Sequence, residues 1–259
     1  MHRPSLPVPA LVALALLGPA IAAAGTVVTS ESTADGRQTL AVQGGHVRLA
    51  PERKGAPGLL FEAGPGRLVL LNRPAKQYNV IDRDRLDAMA ARVAAERERL
   101  SQAVAAASGD ERRRLQRRLE RLPGTAGPAI AFAPAGERRT INGRDCEVVD
   151  ARIAGTRTHR LCLVGVASLG LDGDSRRTLA ALFDFLARLR NLLGRAGKTA
   201  FDARVVQAAL AERSAFPVWI ERVDDGATWT VRAVEHREQP ADRFRVPPDY
   251  TEGARLGAG

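Results

Sequence analysis

The sequence predicts an α+β protein built on antiparallel strands, and three observations carry that reading. Between Thr26 and Asp82, short apolar runs are separated by Gly, Pro, Asp and Asn breakers, the pattern of consecutive strands. At Arg83 the apolar period changes to that of a helix. Strand runs and amphipathic stripes then alternate as far as residue 236, where Asp225-Gly226 marks a preferred hairpin turn.

The chain opens with His2 and Arg3, an apolar run from Val8 to Leu17, and small residues ending in Ala22-Ala23-Ala24. This is the anatomy of a secretory leader with an A-x-A cleavage site, and it predicts export to a bacterial periplasm. No cysteine sits near residue 24 to carry a lipoprotein anchor. No later segment reaches the roughly 20 apolar residues of a membrane-spanning helix. Cleavage would leave roughly 235 residues, read as a single domain over 25–252 with a helical insertion at 83–122 and a flexible tail at 253–259. A chain of that size buries roughly 70–75% of its unfolded surface without staples.

The first strands are TVVTSES, RQTLAVQ, HVRLAPE, GLLFEA, GRLVLLN and KQYNVID. The last two form a hairpin around Pro74-Ala75 that pairs Leu71 with Tyr78, Val69 with Val80, and Leu68 with Ile81. Both faces of this pair are apolar, so it belongs between a helix layer and a second buried surface. From Arg83, the residues Leu86, Met89, Val93, Leu100 and Val104 make one helical stripe. Gly109-Asp110 breaks it, with Asp110 as the candidate N-cap of a second helix that Pro123-Gly124 stops. That helix sets Leu115, Leu119 and Leu122 against Arg112, Arg113, Arg114, Arg117, Arg118 and Arg121. Its arginines form either a solvated face paired with neighbouring Glu or a docking surface for an anionic membrane or partner.

GTAGPAIAFAPAG carries little pattern, and strands resume at Arg138–Ile141. Residues 144–151 and 158–165 read as a hairpin centred on Ala154, which sets Cys146 opposite Cys162. An even pair of cysteines in an exported chain predicts a disulfide. Asp174 or Ser175 caps a helix that runs to about Leu193, with a wide stripe of Leu179, Leu182, Phe183, Leu186, Leu189 and Leu193. A shorter helix spans Asp202 to Arg213. In the closing hairpin a two-residue Asp225-Gly226 loop pairs Val218 with Ala233, Ile220 with Val231, and Arg222 with Trp229, and sets Trp219 opposite Arg232. Arg222 would lie over the Trp229 ring.

Chemistry-bearing patterns are sparse. His46, His159 and His236 fall on separate strands without metal-ligand spacing, and each reads as an exposed strand residue. Ser168 in Gly165–Gly170 is out of register with a nucleophile elbow, and Gly173-Asp174-Ser175 reads as a helix cap. No catalytic residue, metal or cofactor is assigned. The 39 Lys+Arg against 29 Asp+Glu give a net charge of +10, which suits anionic surfaces. With 4% aromatic residues, stacking on nucleic acid is a poor fit.

Several phrases resemble a family of exported bacterial domains and, more distantly, the periplasmic lipoprotein carriers and outer-membrane lipoprotein receptors of the LolA/LolB kind. They are Gly45-His46-Val47-Arg48, LVLLNRPAKQYNVID, Ile141-Asn142-Gly143 before Cys146, Phe216-Pro217-Val218-Trp219, and Phe244-Arg245-Val246-Pro247-Pro248-Asp249-Tyr250. The resemblance implies an incomplete antiparallel β-barrel, covered by helices and enclosing an apolar cavity for acyl chains. The expectation is a non-enzymatic periplasmic protein that binds an acyl chain, a lipid or a lipidated protein. Candidate ligand-binding residues are Val69, Leu71, Tyr78, Val80, Val218, Ile220, Trp229 and Val231, whose simpler reading, residue by residue, is plain core. The alternative is an accessory protein docking a partner or anionic membrane through Arg113, Arg114, Arg117 and Arg118.

Overall fold

The computed structural model describes residues 25–124, 127–193 and 201–253; the predicted leader and the end of the tail lie outside these. In chain order the strands are β1 (Thr26–Ser32), β2 (Gly36–Gln43), β3 (His46–Pro51), β4 (Gly58–Glu62), β5 (Arg67–Asn72), β6 (Gln77–Ile81), β7 (Ile130–Ile141), β8 (Arg144–Ile153), β9 (Thr156–Gly165), β10 (Ala215–Arg222), β11 (Thr228–His236) and β12 (Thr251–Glu252). The helices are α1 (Arg83–Ala106), α2 (Gly109–Arg121), α3 (Gly173–Leu193) and α4 (Ala203–Arg213). The strands make one open sheet in the order β12-β6-β5-β4-β3-β2-β1-β11-β10-β9-β8-β7. Its pairs are antiparallel except β12 with β6. The fold is α+β.

Strands β1 to β6 form a meander covered on both faces. Strand alternation turns Val28, Val42, Val47, Leu59, Phe61, Leu68 and Ile81 toward the helices, into the main core. The opposite set meets the C-terminal segment: Val27 and Ala41 pack on Phe244, while Leu60, Val69 and Leu71 cluster with Tyr78, Val80, Val246 and Tyr250. The Pro74-Ala75 hairpin has the predicted register, Leu71 to Tyr78 and Val69 to Val80, and its second face is covered as expected. Polar contacts fasten the covering segment. Arg48 Nη1 donates to the Arg243 carbonyl at 2.6 Å, and the Gln239 N–H to Gln43 Oε1 at 2.7 Å.

The helical hairpin α1–α2 does more than interrupt the chain: it carries it from β6, near one edge of the sheet, to β7 at the other. Asp82 caps α1 by accepting the Arg85 N–H at 2.8 Å, and α1 buries Leu86 and Leu100. Helix α2 begins at Gly109, one residue before the predicted cap, and Asp110 lies in its first turn. Arg97 of α1 donates from Nη1 to the carbonyls of Leu119, Leu122 and Pro123 at 3.2–3.5 Å, placing a cation where the dipole of α2 ends negative. Helix α3 is capped by Asp172, which takes the Ser175 N–H at 2.6 Å, and not by Asp174 or Ser175. The low-pattern segment contributes the start of β7, whose register shift between Pro134 and Glu137 accommodates the proline on an edge strand.

Two hairpins depart from their predicted registers. Cys162 lies opposite Val148, because the hairpin turns on Ala154-Gly155, setting Ile153 opposite Thr156, and the pairing then shifts once more between Ala151 and Arg152. Cys146 therefore reaches Cys162 diagonally, and the predicted disulfide forms across a Cα–Cα distance of 5.3 Å. At the C-terminal hairpin Ile220 faces Trp229, and the Arg222 N–H closes a longer loop onto the Ala227 carbonyl. Arg222 lies opposite Ala227 rather than Trp229, and pairs with Asp224 and Asp225. Trp219 faces Thr230 and receives the Arg139 guanidinium, 4.6 Å above its ring, in place of Arg232. At this end the sheet folds over. Asn142, at the β7–β8 tip, donates to the Val231 carbonyl of β11 at 2.5 Å, whereas three strand spacings of a flat sheet would separate β8 from β11 by about 14 Å.

The disulfide closes a loop of sequence separation 16, for which the chain-entropy account gives about 3 kcal/mol. The double variant Cys146→Ala, Cys162→Ala is expected to lose about 2–4 kcal/mol in urea unfolding. The same loss is expected when the wild type is reduced.

Candidate functional site

Where α3 crosses β1 to β4, the helix does not seal the sheet. A cleft of about 290 Å³ remains. The strand registers arrange its sheet wall in rows. Val28, Leu40, Leu49 and Leu59 face one another across β1 to β4 as an apolar row. One step along lie Ser30, Gln38 and Pro51, again opposite one another. Beyond these, Asp35 in the β1–β2 turn and Arg53 in the β3–β4 loop complete a polar end. Helix α3 supplies Leu182, Phe183 and Leu186.

The side of the cleft toward β10 and β11 is aromatic. Phe201 lies 5.2 Å from Trp229 and 5.6 Å from Phe183, and Phe216 stands edge-on to Trp229 at 6.3 Å. Such tilted and edge-on contacts contribute about 0.5–1.5 kcal/mol each beyond the area they bury. The indole N–H of Trp229 is buried without a hydrogen-bond partner among the described residues. Leaving a donor so costs about 1–3 kcal/mol, which the aromatic packing must offset.

The residues expected to bind ligand are scattered by this geometry. Of the eight, Trp229 lines the cleft. Val218, Ile220 and Val231 are fully buried in the main core. Val69, Leu71, Tyr78 and Val80 occupy the opposite face of the sheet, beneath Val246 and Tyr250, because strand alternation gives the helix side to Leu68, Leu70 and Ile81. The cleft instead uses Leu182, Phe183 and Leu186 of α3, whose wide apolar stripe reads more simply as core. Leu40, Leu49, Phe201 and Phe216 join it only through tertiary structure.

On α2, Arg113 pairs with Asp110 and Arg118 reaches Glu96 of α1 at 3.1 Å. Arg112, Arg114 and Arg117 are exposed, and none has an ion pair among the described residues. Both readings of the basic helix thus find residues: part of the face is paired, part is free.

His46 and His236 are exposed, but His159 is buried, contrary to expectation. Its Nδ1 lies 3.0 Å from Thr158 Oγ1. Burial pushes the imidazole below its usual value of 6.5; Asp202 and Asp224 work against this, and Arg222 and Arg204 with it. Burial pushes the Asp202 carboxyl up, but hydrogen bonds and charge from Arg204, with His159 adding to them, outweigh this and hold it low. Asp202 also caps α4 through the Arg204 N–H at 3.0 Å. Ser168 sits in a 3-10 turn (Val166–Leu169), its hydroxyl donating to the Gly165 carbonyl at 2.7 Å. Among the described residues no group of three or more His, Cys, Asp or Glu is placed to hold a metal, and no helix is long and apolar enough to cross a membrane.

No protein family matches the chain, and no curated protein does. Among solved structures it is similar to one described as PNGF-II, with 8% identity and a TM-score of 0.40, covering 89% of this chain and 31% of that one. The chain thus spans about a third of that protein's length, and a likeness this slight carries no argument about activity.

The His159 environment makes stability depend on pH. The unfolded chain takes up a proton near pH 6.5, whereas the folded imidazole does so only at lower pH. Its contribution is therefore full above about pH 6.5 and falls as pH drops below that value. His159→Gln is expected to lower stability at pH 7 yet flatten its decline between about pH 7 and 5, read from urea midpoints.

Proposed function

We propose that this protein is an exported, non-enzymatic carrier that shelters an acyl chain or similar apolar ligand between its curved sheet and α3. The sheet is then an incomplete barrel of the kind the resemblance to lipoprotein carriers implies, with α3 as the cover. The observation that carries this reading is the cleft itself: a row of aliphatic side chains from four strands, left open under a helix and ending in polar residues. Polar residues at one end and apolar at the other are the gradient an amphiphile needs. About ten methylenes buried there would contribute about 8 kcal/mol before the cost of association, which limits a single-chain ligand to about micromolar affinity or weaker.

Native mass spectrometry of the mature protein from its own periplasm would test this first, with a solvent-extractable acylated mass expected. In solution, Leu40→Trp and Leu186→Trp should fill the cleft and weaken binding of a dansylated undecanoic acid about tenfold, with the fold retained. Val69→Ser, on the other face, should lower stability and leave the affinity unchanged. A bare polypeptide mass, with no binding of the probe, would make the cleft a packing gap.

A second reading rests on the free arginines of α2, which suit an anionic membrane surface. Reversing Arg113, Arg114, Arg117 and Arg118 to Glu should abolish cosedimentation with vesicles rich in anionic lipid while the thermal midpoint stays within a few degrees. Binding by wild type should weaken as salt rises.

A further inference from the structure

Resting on that acyl-binding reading, we infer that the cleft takes a single chain bearing a zwitterionic head, as in a lysophospholipid with an ethanolamine or choline group. Size speaks for one chain. At about 290 Å³ the cleft lies at the lower limit of ligand pockets and is about twice the ~150 Å³ cavity that accommodates benzene. Two chains side by side exceed it.

Charge speaks for the head. The polar end holds one carboxylate, Asp35, and one guanidinium, Arg53, and no ion pair joins them. Asp35 accepts a long contact of 3.5 Å from Ser32 Oγ, and Arg53 donates one N–H to the Ala34 carbonyl at 3.3 Å. Each keeps most of its hydrogen-bonding capacity. An ammonium near Asp35 and a phosphate near Arg53 would use both groups at once, with the Gln38 amide beside them. A purely anionic head gains Arg53 but is repelled by Asp35. The register fixes the orientation: the head lies at the turn end, and the chain runs back over Leu40 and Leu49.

The test is displacement of dansylated undecanoic acid from the mature protein by monomeric lauroyl lysolipids. Lysophosphatidylethanolamine and lysophosphatidylcholine should displace it at about tenfold lower concentration than lysophosphatidylglycerol of the same chain length. A short diacyl phosphatidylcholine should not displace it. In Asp35→Asn the anionic lysolipid should come within about twofold of the zwitterionic ones, each competitor being compared after correction for the affinity of the probe, itself a carboxylate, for that variant. If the probe binds but all heads compete equally, or the diacyl lipid competes, this inference is overturned and the acyl-binding reading stands. If no probe binds, both fall together.

Discussion

The packing of α3 is the contact on which the rest of the structure depends. Phe185 meets Phe61 of β4 at 5.7 Å and Phe183 meets Phe216 of β10 at 6.2 Å, so one helix holds together strands from both halves of the chain. Leu179, Leu182, Leu189 and Leu192 complete its buried stripe. Each such side chain contributes about 1.5–3 kcal/mol when fully buried. Without the helix, the inner row of the meander would be a wet apolar surface.

Arginine supplies much of the polar fastening around that core. Arg97 closes the end of α2, Arg48 holds the covering segment, and Arg73 donates to the Pro51 carbonyl at 2.7 Å. Arg160 meets Glu137 at 2.5 Å and lies near Asp150 and Glu221. Hydrogen bonds from Arg139 and Arg160 hold the Glu137 carboxyl below its ordinary range. The planar guanidinium suits these roles because it presents several donors in a fixed fork. Part of the strongly basic balance is therefore structural, while Arg112, Arg114 and Arg117 on α2 stand without an ion pair among the described residues.

Most elements were legible because burial here obeys simple periods. The six strands to Ile81 and the hairpin at Pro74 follow from alternation and turn residues. The cysteine hairpin differs through its turn on Ala154-Gly155 and a shift at Ala151, and the C-terminal hairpin through a longer loop after Arg222; the shift and the longer loop leave no mark in residue type. In the C-terminal hairpin the error was two residues, so every side chain kept its face. The cleft was harder to see. Val69 and Leu68 look alike in sequence, and which of them faces the helices is decided by Phe244, Val246 and Tyr250, which cover the other side. The width of the α3 stripe does not distinguish site from core, and the aromatic wall, drawn from residues 183, 201, 216 and 229, had no local signature.

The seam between β1 and β11 bears on how the molecule is made. Most other strand pairs close locally, whereas this one joins segments as distant as Thr26 and His236, 210 residues apart. A chain emerging from its N-terminus completes the first meander long before β11 exists. Until then β1 is a bare edge, its N–H and C=O groups open to any other strand. Non-local pairing of this kind is slow and leaves folding intermediates prone to aggregate. The joint near the centre of the finished sheet thus stays open until β11 has been made, and the interval before it closes is when the nascent chain most needs protection.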